Sequence, residues 1–402
     1  MYSLKNLPPL YPRPTPLKGV RWLYSLFFIT FLCIIITRMF GRHIKDYDFW
    51  FFAVGIPFTC WFVIGSIYVI VRMLKNIKAD GYDKRRKMWI LSETQKSRRA
   101  FHVLSVSLIT GHRVKDKDEL LNLLIANKSI ISAQRDRTGN EGVRLSLLPG
   151  YDNNENISEM ISDIFSQLIC QLPLKYISCN SCISVLLDVS SVISAGNINA
   201  MWHESWREFG GLHSYELLEK KGPVILEDWL NTKTKENSLL LVVALQIAPI
   251  HAANSAETAV ALLLGNRLMQ GTINPIAILH RPDPSPTEEL ESGMRMAAYN
   301  VPIKDGVIKH LWLSGLNDQQ HAEVVINQNK SPAHAVENDT VINLDSAMGC
   351  AGAAAPWLAI AAASETAQQT QLPQMIISGD TTQDVLWSTL VTPTFFRQEM
   401  DL

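Results

Sequence analysis

Two uncharged apolar runs near the start constrain this chain most. WLYSLFFITFLCIIIT fills positions 22–37, and Met39 and Phe40 extend it while Arg38 snorkels. WFFAVGIPFTCWFVIGSIYVIV fills 50–71 and is long enough by itself, since about 20 helical residues cross a hydrocarbon core. Trp22, Tyr24, Trp50 and Tyr68 stand at the ends, where interfacial aromatics belong. A second full span follows the first with no small-residue cleavage site between them, which argues against a cleaved signal peptide. The pattern predicts a membrane hairpin.

Flanking charge gives the hairpin a direction. Lys5, Arg13, Lys18 and Arg21 precede the first run, and Arg72, Lys75, Lys78, Lys84, Arg85, Arg86 and Lys87 follow the second. The loop between them offsets Arg38, Arg42 and Lys45 with Asp46 and Asp48. The excess of Lys and Arg outside the hairpin predicts both ends in the cytoplasm. The expected organisation is a Pro-rich cytoplasmic tail at 1–21, extended or disordered, and a transmembrane hairpin at 22–72. A basic linker at 73–88, suited to lipid headgroups, then leads to a soluble domain at 89–402.

The formal net charge of −1 excludes a general nucleic-acid binder, which needs clustered cations for the phosphates. The six cysteines are scattered, so they form no secreted disulfide framework. Cys179 and Cys182 make a C-x-x-C pair, but no second pair and no nearby His completes a zinc site, and two small structural residues are the expectation. His203 and His213 lack H-E-x-x-H spacing, and no P-loop, G-x-G-x-x-G or EF-hand pattern occurs. No cofactor and no metal is expected.

In the soluble part, FHVLSVSLITGH (101–112) reads as a strand closed by a Gly turn, with His112 as a turn residue. KDELLNLLIANKS and ISEMISDIFSQLICQL read as amphipathic helices. NSLLLVVALQIA (237–248) is a continuous apolar run and so a buried strand. AETAVALLLGNRL is apolar in a way that periodicity leaves open between helix and strand. TEELESGMRMAAYN starts a helix after two prolines, and VIKHLWLSG, QMIISGD and VLWSTLVTP read as strands. Helices alternating with buried strands predict an α/β layered fold.

Between those last strands lies INLDSAMGCAGAAAPWLAIAAASE (342–365), a turn that runs into an alanine-rich helix. The order of elements over 100–395, with HLWLSGLNDQQHAE and DSAMGCAGAAAPWLAIAAA, resembles the thiolase-like fold and its β-ketoacyl synthase family. Where that family has His-Gly-Thr-Gly-Thr, this chain keeps Gly315, Asn317, Asp318 and Glu323. Where the family has Lys-Ser-x-x-Gly-His before a small-residue helix, it keeps Ser346 and Gly349.

The resemblance also implies differences. The family's two catalytic histidines correspond to Ser314 and Cys350, and its lysine to Asp345. No cysteine at 183–240 occupies a small-residue elbow, where the family holds its nucleophile. The expectation is a chain that is not an enzyme. With its hairpin it resembles the type VI secretion lipase adaptor family of bacterial inner membranes. That resemblance implies a protein partner, either a secretion effector or a secretion-system component, and the thiolase-like resemblance implies a homodimer. Trp202, Trp206 and Tyr215 in MWHESWREFGGLHSY are the expected partner-binding surface, since such residues favour binding hot spots. The alternative is a divergent membrane-associated acyltransferase carrying an acyl group on Cys350.

Overall fold

The computed structural model describes the chain except residues 1–7, 16–17, 41–45, 113, 115, 153–155, 178–181, 212, 234–237, 267–272, 302, 304–305, 380–383 and 395–402. It divides into two compact units, Met1–Gln95 and Lys96–Leu402.

The first unit is the hairpin. Helix α1 (Gly19–Phe40) is followed by the short α2 (Asp46–Trp50), a π-helical turn at Phe51–Gly55, and α3 (Ile56–Ser97). Two stretches, Gly19–Met39 and Asp48–Ser97, are long and apolar enough to cross a membrane. Of their most apolar windows, 0% and 6% is buried, so neither is a soluble core helix. The Trp22 and Trp61 rings lie 5.7 Å apart, and Trp61 Nε1 donates to Ser25 Oγ at 3.1 Å. Residues 73–88 are helical throughout and continue the second apolar helix, because their Lys, Arg, Met and Ala are helix formers with no proline among them. The Pro-rich segment is extended and lies against this helix. The Tyr11 amide donates to Asp83 at 3.2 Å, and Arg13 meets Asp80 and Asp83 at 3.1 and 3.3 Å.

The second unit repeats one topology twice. Its first half holds β1 (Ala100–Thr110), α4 (Lys117–Ile125) and a small sheet from β2 (Ser132–Gln134) and β3 (Val143–Ser146). There follow α5 (Ile157–Gln171), β4 (Cys182–Ser190), α6 (Ala195–Phe209), β5 (Tyr215–Leu217), α7 (Val224–Thr232) and β6 (Ser238–Gln246). The short β7 (Ser255–Ala256) joins the small sheet, and β8 (Thr258–Gly265) ends the half. The second half runs β9 (Ala277–His280), β10 (Asp283–Pro286), α8 (Leu290–Asn300), β11 (His310–Ser314), α9 (Asp318–Asn327) and β12 (Val341–Asn343). It finishes with α10 (Leu344–Met348), α11 (Ala355–Thr370), β13 (Gln374–Gly379) and β14 (Val385–Pro393).

In sheet order the first half reads β5-β4-β6-β8-β1 and the second β12-β11-β13-β14-β9. Each half therefore places its principal strands in the order third, second, fourth, fifth, first. In each the second strand is parallel to the third and fourth, and the fifth is antiparallel to its neighbours. The two first strands pair antiparallel, Ala100 opposite His280 and Val103 opposite Ala277, which joins the halves into one sheet.

Strand β6 is buried along its whole length, which is why its sequence does not alternate. Leu240, Val242 and Ala244 face the cluster that includes α7 and α11, while Leu239, Leu241, Val243 and Leu245 face the cluster that includes α5 and α6. The apolar run left open by periodicity is β8, also wholly buried. Helix α11 is the central one: every residue from Ala355 to Ser364 is buried. Alanine serves there because neighbouring backbone comes close; a Cβ on Gly315 would sit 3.1 Å from the Ala355 methyl.

Candidate functional site

The candidate site lies where β11, the β12–α11 connection and the end of β6 meet. Strand β11 ends in Ser314, and Gly315 turns the chain at φ +69°, a value that favours glycine. After β12 the Asn343 side chain caps α10 by accepting from the Ser346 amide at 3.1 Å. Gly349 (φ +102°) then lets the chain pass so close to Ser255 that a Cβ would lie 2.6 Å from its carbonyl.

Cys350 follows and is stitched across the two halves. Its amide donates to Asn254 O at 2.8 Å, and its carbonyl accepts from the Ala256 amide at 2.9 Å and from Gln246 Nε2 at 2.6 Å. The residue itself is exposed. Partial burial of its sulfur and the adjacent Asp345 carboxylate push the thiol up, against a hydrogen bond from the Gly352 amide. Asp345 accepts the Leu316 amide on Oδ2 at 3.2 Å, while its Oδ1 is buried without a hydrogen-bond partner. Burial raises its carboxyl to about 6, although backbone amides at 315 and 316 oppose the shift. The Ser314 hydroxyl is also buried and unpartnered. The structure thus gathers Asp345 and Cys350 in one place, with Ser314 at the foot of the same turn. His321 reaches this segment through a 3.0 Å contact with Asn343 Nδ2.

Several expected features fall elsewhere. Trp202 and Trp206 do not form a surface: Trp202 is fully buried and Trp206 nearly so. Phe165 packs edge-on against Trp202 at 5.2 Å between rings, and Trp206 lies 5.5 Å from Trp202, as core of the α5–α6 layer. Tyr215 is half-buried against both indoles and bonds His203. The hot-spot pattern is thereby corrected to core packing, because these residues occupy the inward face of an amphipathic helix. His112 is buried beside Thr110, and its imidazole is lowered by burial. Cys179 lies outside the described residues, and Cys182 opens β4.

The elbow between β5 and α7 holds Lys220, Lys221, Gly222 and Pro223. Asp188 at the end of β4 accepts both the Gly222 amide, at 3.1 Å, and the buried Trp357 indole, at 3.0 Å. Sequence reading missed Asp188, and it missed Gln246. Each is the one strongly polar residue closing an apolar strand, and that was the available signal.

The repeated strand order and the buried central helix decide the architecture. The second unit has the thiolase-like fold. It is similar to the PfaC keto synthase–chain length factor at 10% identity and TM-score 0.51, over 74% of this chain but 43% of that one. It is similar to a type II PKS acyl-carrier protein in complex with its ketosynthase (AntDE:AntF) at 9% identity and TM-score 0.50, over 73% of this chain and 99% of that one. The ishigamide ketosynthase/chain length factor gives 11%, 0.50, 73% and 99%. No protein-family model matches the chain, and no curated protein matches it. The expectation of a chain that is not an enzyme is corrected here. The solved structures that share the thiolase-like fold are named as synthases, and departures at the family's two histidines, its lysine and its nucleophile do not by themselves make a chain inactive.

Proposed function

We propose that the chain is a membrane-tethered thiolase-like protein that handles acyl thioesters, with Cys350 as the acyl acceptor. One observation carries this reading: an exposed cysteine stands ahead of the central helix with the Gly352 amide on its sulfur and the Asp345 carboxyl beside it. A raised thiol yields little thiolate at neutral pH, so it needs a base. Asp345, titrating near 6, is ionised there and is the adjacent group able to take the proton. Cys350 sulfur would then attack the thioester carbonyl, the carbon–sulfur bond to the carrier would break, and the carrier would leave as a thiol with the proton from Cys350. A neighbouring fold captured with an acyl-carrier protein supports a protein carrier as partner. The two apolar helices supply the tether, and flanking charge favours a cytoplasmic second unit at a bacterial inner membrane.

The test is peptide mass mapping of the full chain after incubation with acyl-CoA or an acylated carrier protein. An acyl mass is expected on the Cys350 peptide and is expected to vanish in Cys350→Ala. Acyl mass only on Cys33, Cys60 or Cys170 would sink the reading.

A second reading, a protein adaptor, is favoured by the elbow. The Gly222 amide in the β5–α7 elbow and the Trp357 indole both donate to Asp188, which ties the elbow to the central helix. Docking needs no open elbow. The partner would be a secretion effector such as a lipase, delivered to a type VI secretion machinery. Affinity capture from the native cell separates the two readings: an effector or spike component supports this one, and an acyl-carrier protein the first.

A further inference from the structure

We infer that the Cys350 site takes short acyl groups, because Gln246 closes the way inward from it. The inference rests on the reading of Cys350 as acyl acceptor. Gln246 ends β6 and is 3% exposed. Its Nε2 is held by two carbonyls, Cys350 O at 2.6 Å and Ala256 O at 3.0 Å. Its Oε1 occupies the space a side chain at 352 would need, with a Cβ there 1.8 Å away, and the φ of +52° at 352 also favours glycine. The amide is therefore wedged between the end of the buried strand and the turn that carries the sulfur.

The turn around the wedge packs into the core. Met348, Ala351, Ala354 and Trp357 are 0–1% exposed. An acetyl or propionyl group on the sulfur stays within the exposed mouth and needs no inward space. A longer chain meets the held Gln246 amide, since moving it aside would leave that buried amide without its partners and reduce the Cys350 carbonyl to its bond from the Ala256 amide. Burial of extra methylenes, the usual source of preference for long chains, is not on offer.

The experiment uses the full chain in lipid nanodiscs with equal concentrations of acetyl-CoA and octanoyl-CoA. Peptide mass mapping reads the acetyl to octanoyl ratio on Cys350, normalised to the exposed Cys170 in the same molecule. The expected normalised preference for acetyl is about tenfold or more, the scale on which a closed pocket discriminates chain length. Gln246→Ala, which clears the wedge, is expected to reduce that preference by about tenfold. Should the variant fail to fold, the wild-type ratio still decides. Octanoyl transfer to wild-type Cys350 as ready as acetyl transfer would overturn the inference, and would mean that the chain lies outside along the surface. No adduct on Cys350 from either donor would overturn the acceptor reading itself and this inference with it.

Discussion

The indole of Trp357 donates to Asp188 Oδ2 at 3.0 Å, joining the central helix of the second half to the end of a first-half strand. The same oxygen accepts the Gly222 amide, so one carboxylate orders both the helix start and the elbow opposite it. Asp188→Ala is expected to leave the buried Trp357 indole and the half-buried Gly222 amide unsatisfied and to cost about 1–3 kcal/mol. Asp188→Asn, which keeps an acceptor oxygen, is expected to cost less. Urea titration followed by tryptophan fluorescence measures both. Equal, negligible losses would show that the carboxylate is dispensable.

Arg137 and Glu257 form a buried bidentate pair, with side chains 2% and 0% exposed. The guanidinium also bonds the carbonyls of Tyr151, Asp152 and Leu148, and the carboxylate takes the amides of Leu148 and Ala248. Removing one partner leaves an uncompensated buried charge. Arg137→Met is expected to cost about 3–5 kcal/mol, and the double variant with Glu257→Gln less than the sum of the two single changes. A double-mutant cycle of unfolding free energies checks this, and additivity would contradict it.

Two glycines predict opposite signs. Gly349→Ala forces a side chain into φ +102° and onto the Ser255 carbonyl, and is expected to destabilise by more than about 1 kcal/mol. Gly196, within α6, has open space around it, and Gly196→Ala is expected to stabilise by up to about 1 kcal/mol. Thermal melting of both variants gives the comparison.

Burial raises Asp345 to about 6, and burial with the Glu227 charge raises Asp283 to about 7. An unfolded carboxyl titrates near 4, so between about pH 4 and 7 the folded chain holds more protons than the unfolded one. The stability contributed by these groups is complete below about pH 4 and is lost as pH rises through 6 and 7. Asp283→Asn is expected to flatten the decline by roughly 1–3 kcal/mol, read from urea titrations at pH 4.5 and 7.5. An unchanged slope would contradict the assignment.

The Asp345 charge contributes to pushing the Cys350 thiol up. Asp345→Asn is therefore expected to speed alkylation of Cys350 by iodoacetamide at pH 8 several-fold, while Cys170 on the same chain stays unchanged. An unaltered rate at Cys350 would count against the proximity, and a slower one would mean that the carboxylate acts as base toward this reagent as well.

Much of the fold was legible because its signals are local. The apolar runs at 22–37 and 50–71, the unbroken run in β6 and the small residues of α11 each state their surroundings directly. The doubled strand order was not legible, since it is written only in pairings between distant segments such as β1 with β8 and β9. The Cys350 turn was visible through Gly349 and the alanines after it, whereas Gln246 belongs to that site only through a bond across 104 residues. Trp202 and Trp206 misled because an aromatic pair looks the same in sequence whether its helix face turns outward or inward.

The pairing of β1 with β9 sets a timetable for synthesis. β1 leaves the ribosome directly after the hairpin, yet both of its neighbours in the sheet lie roughly 150 residues or more downstream. At ribosomal speeds of about 5–20 residues per second, its edges stay unpaired for about 10–30 seconds. During that wait an apolar strand stands without either of its sheet neighbours, which gives a chaperone time to cover it before the second half arrives.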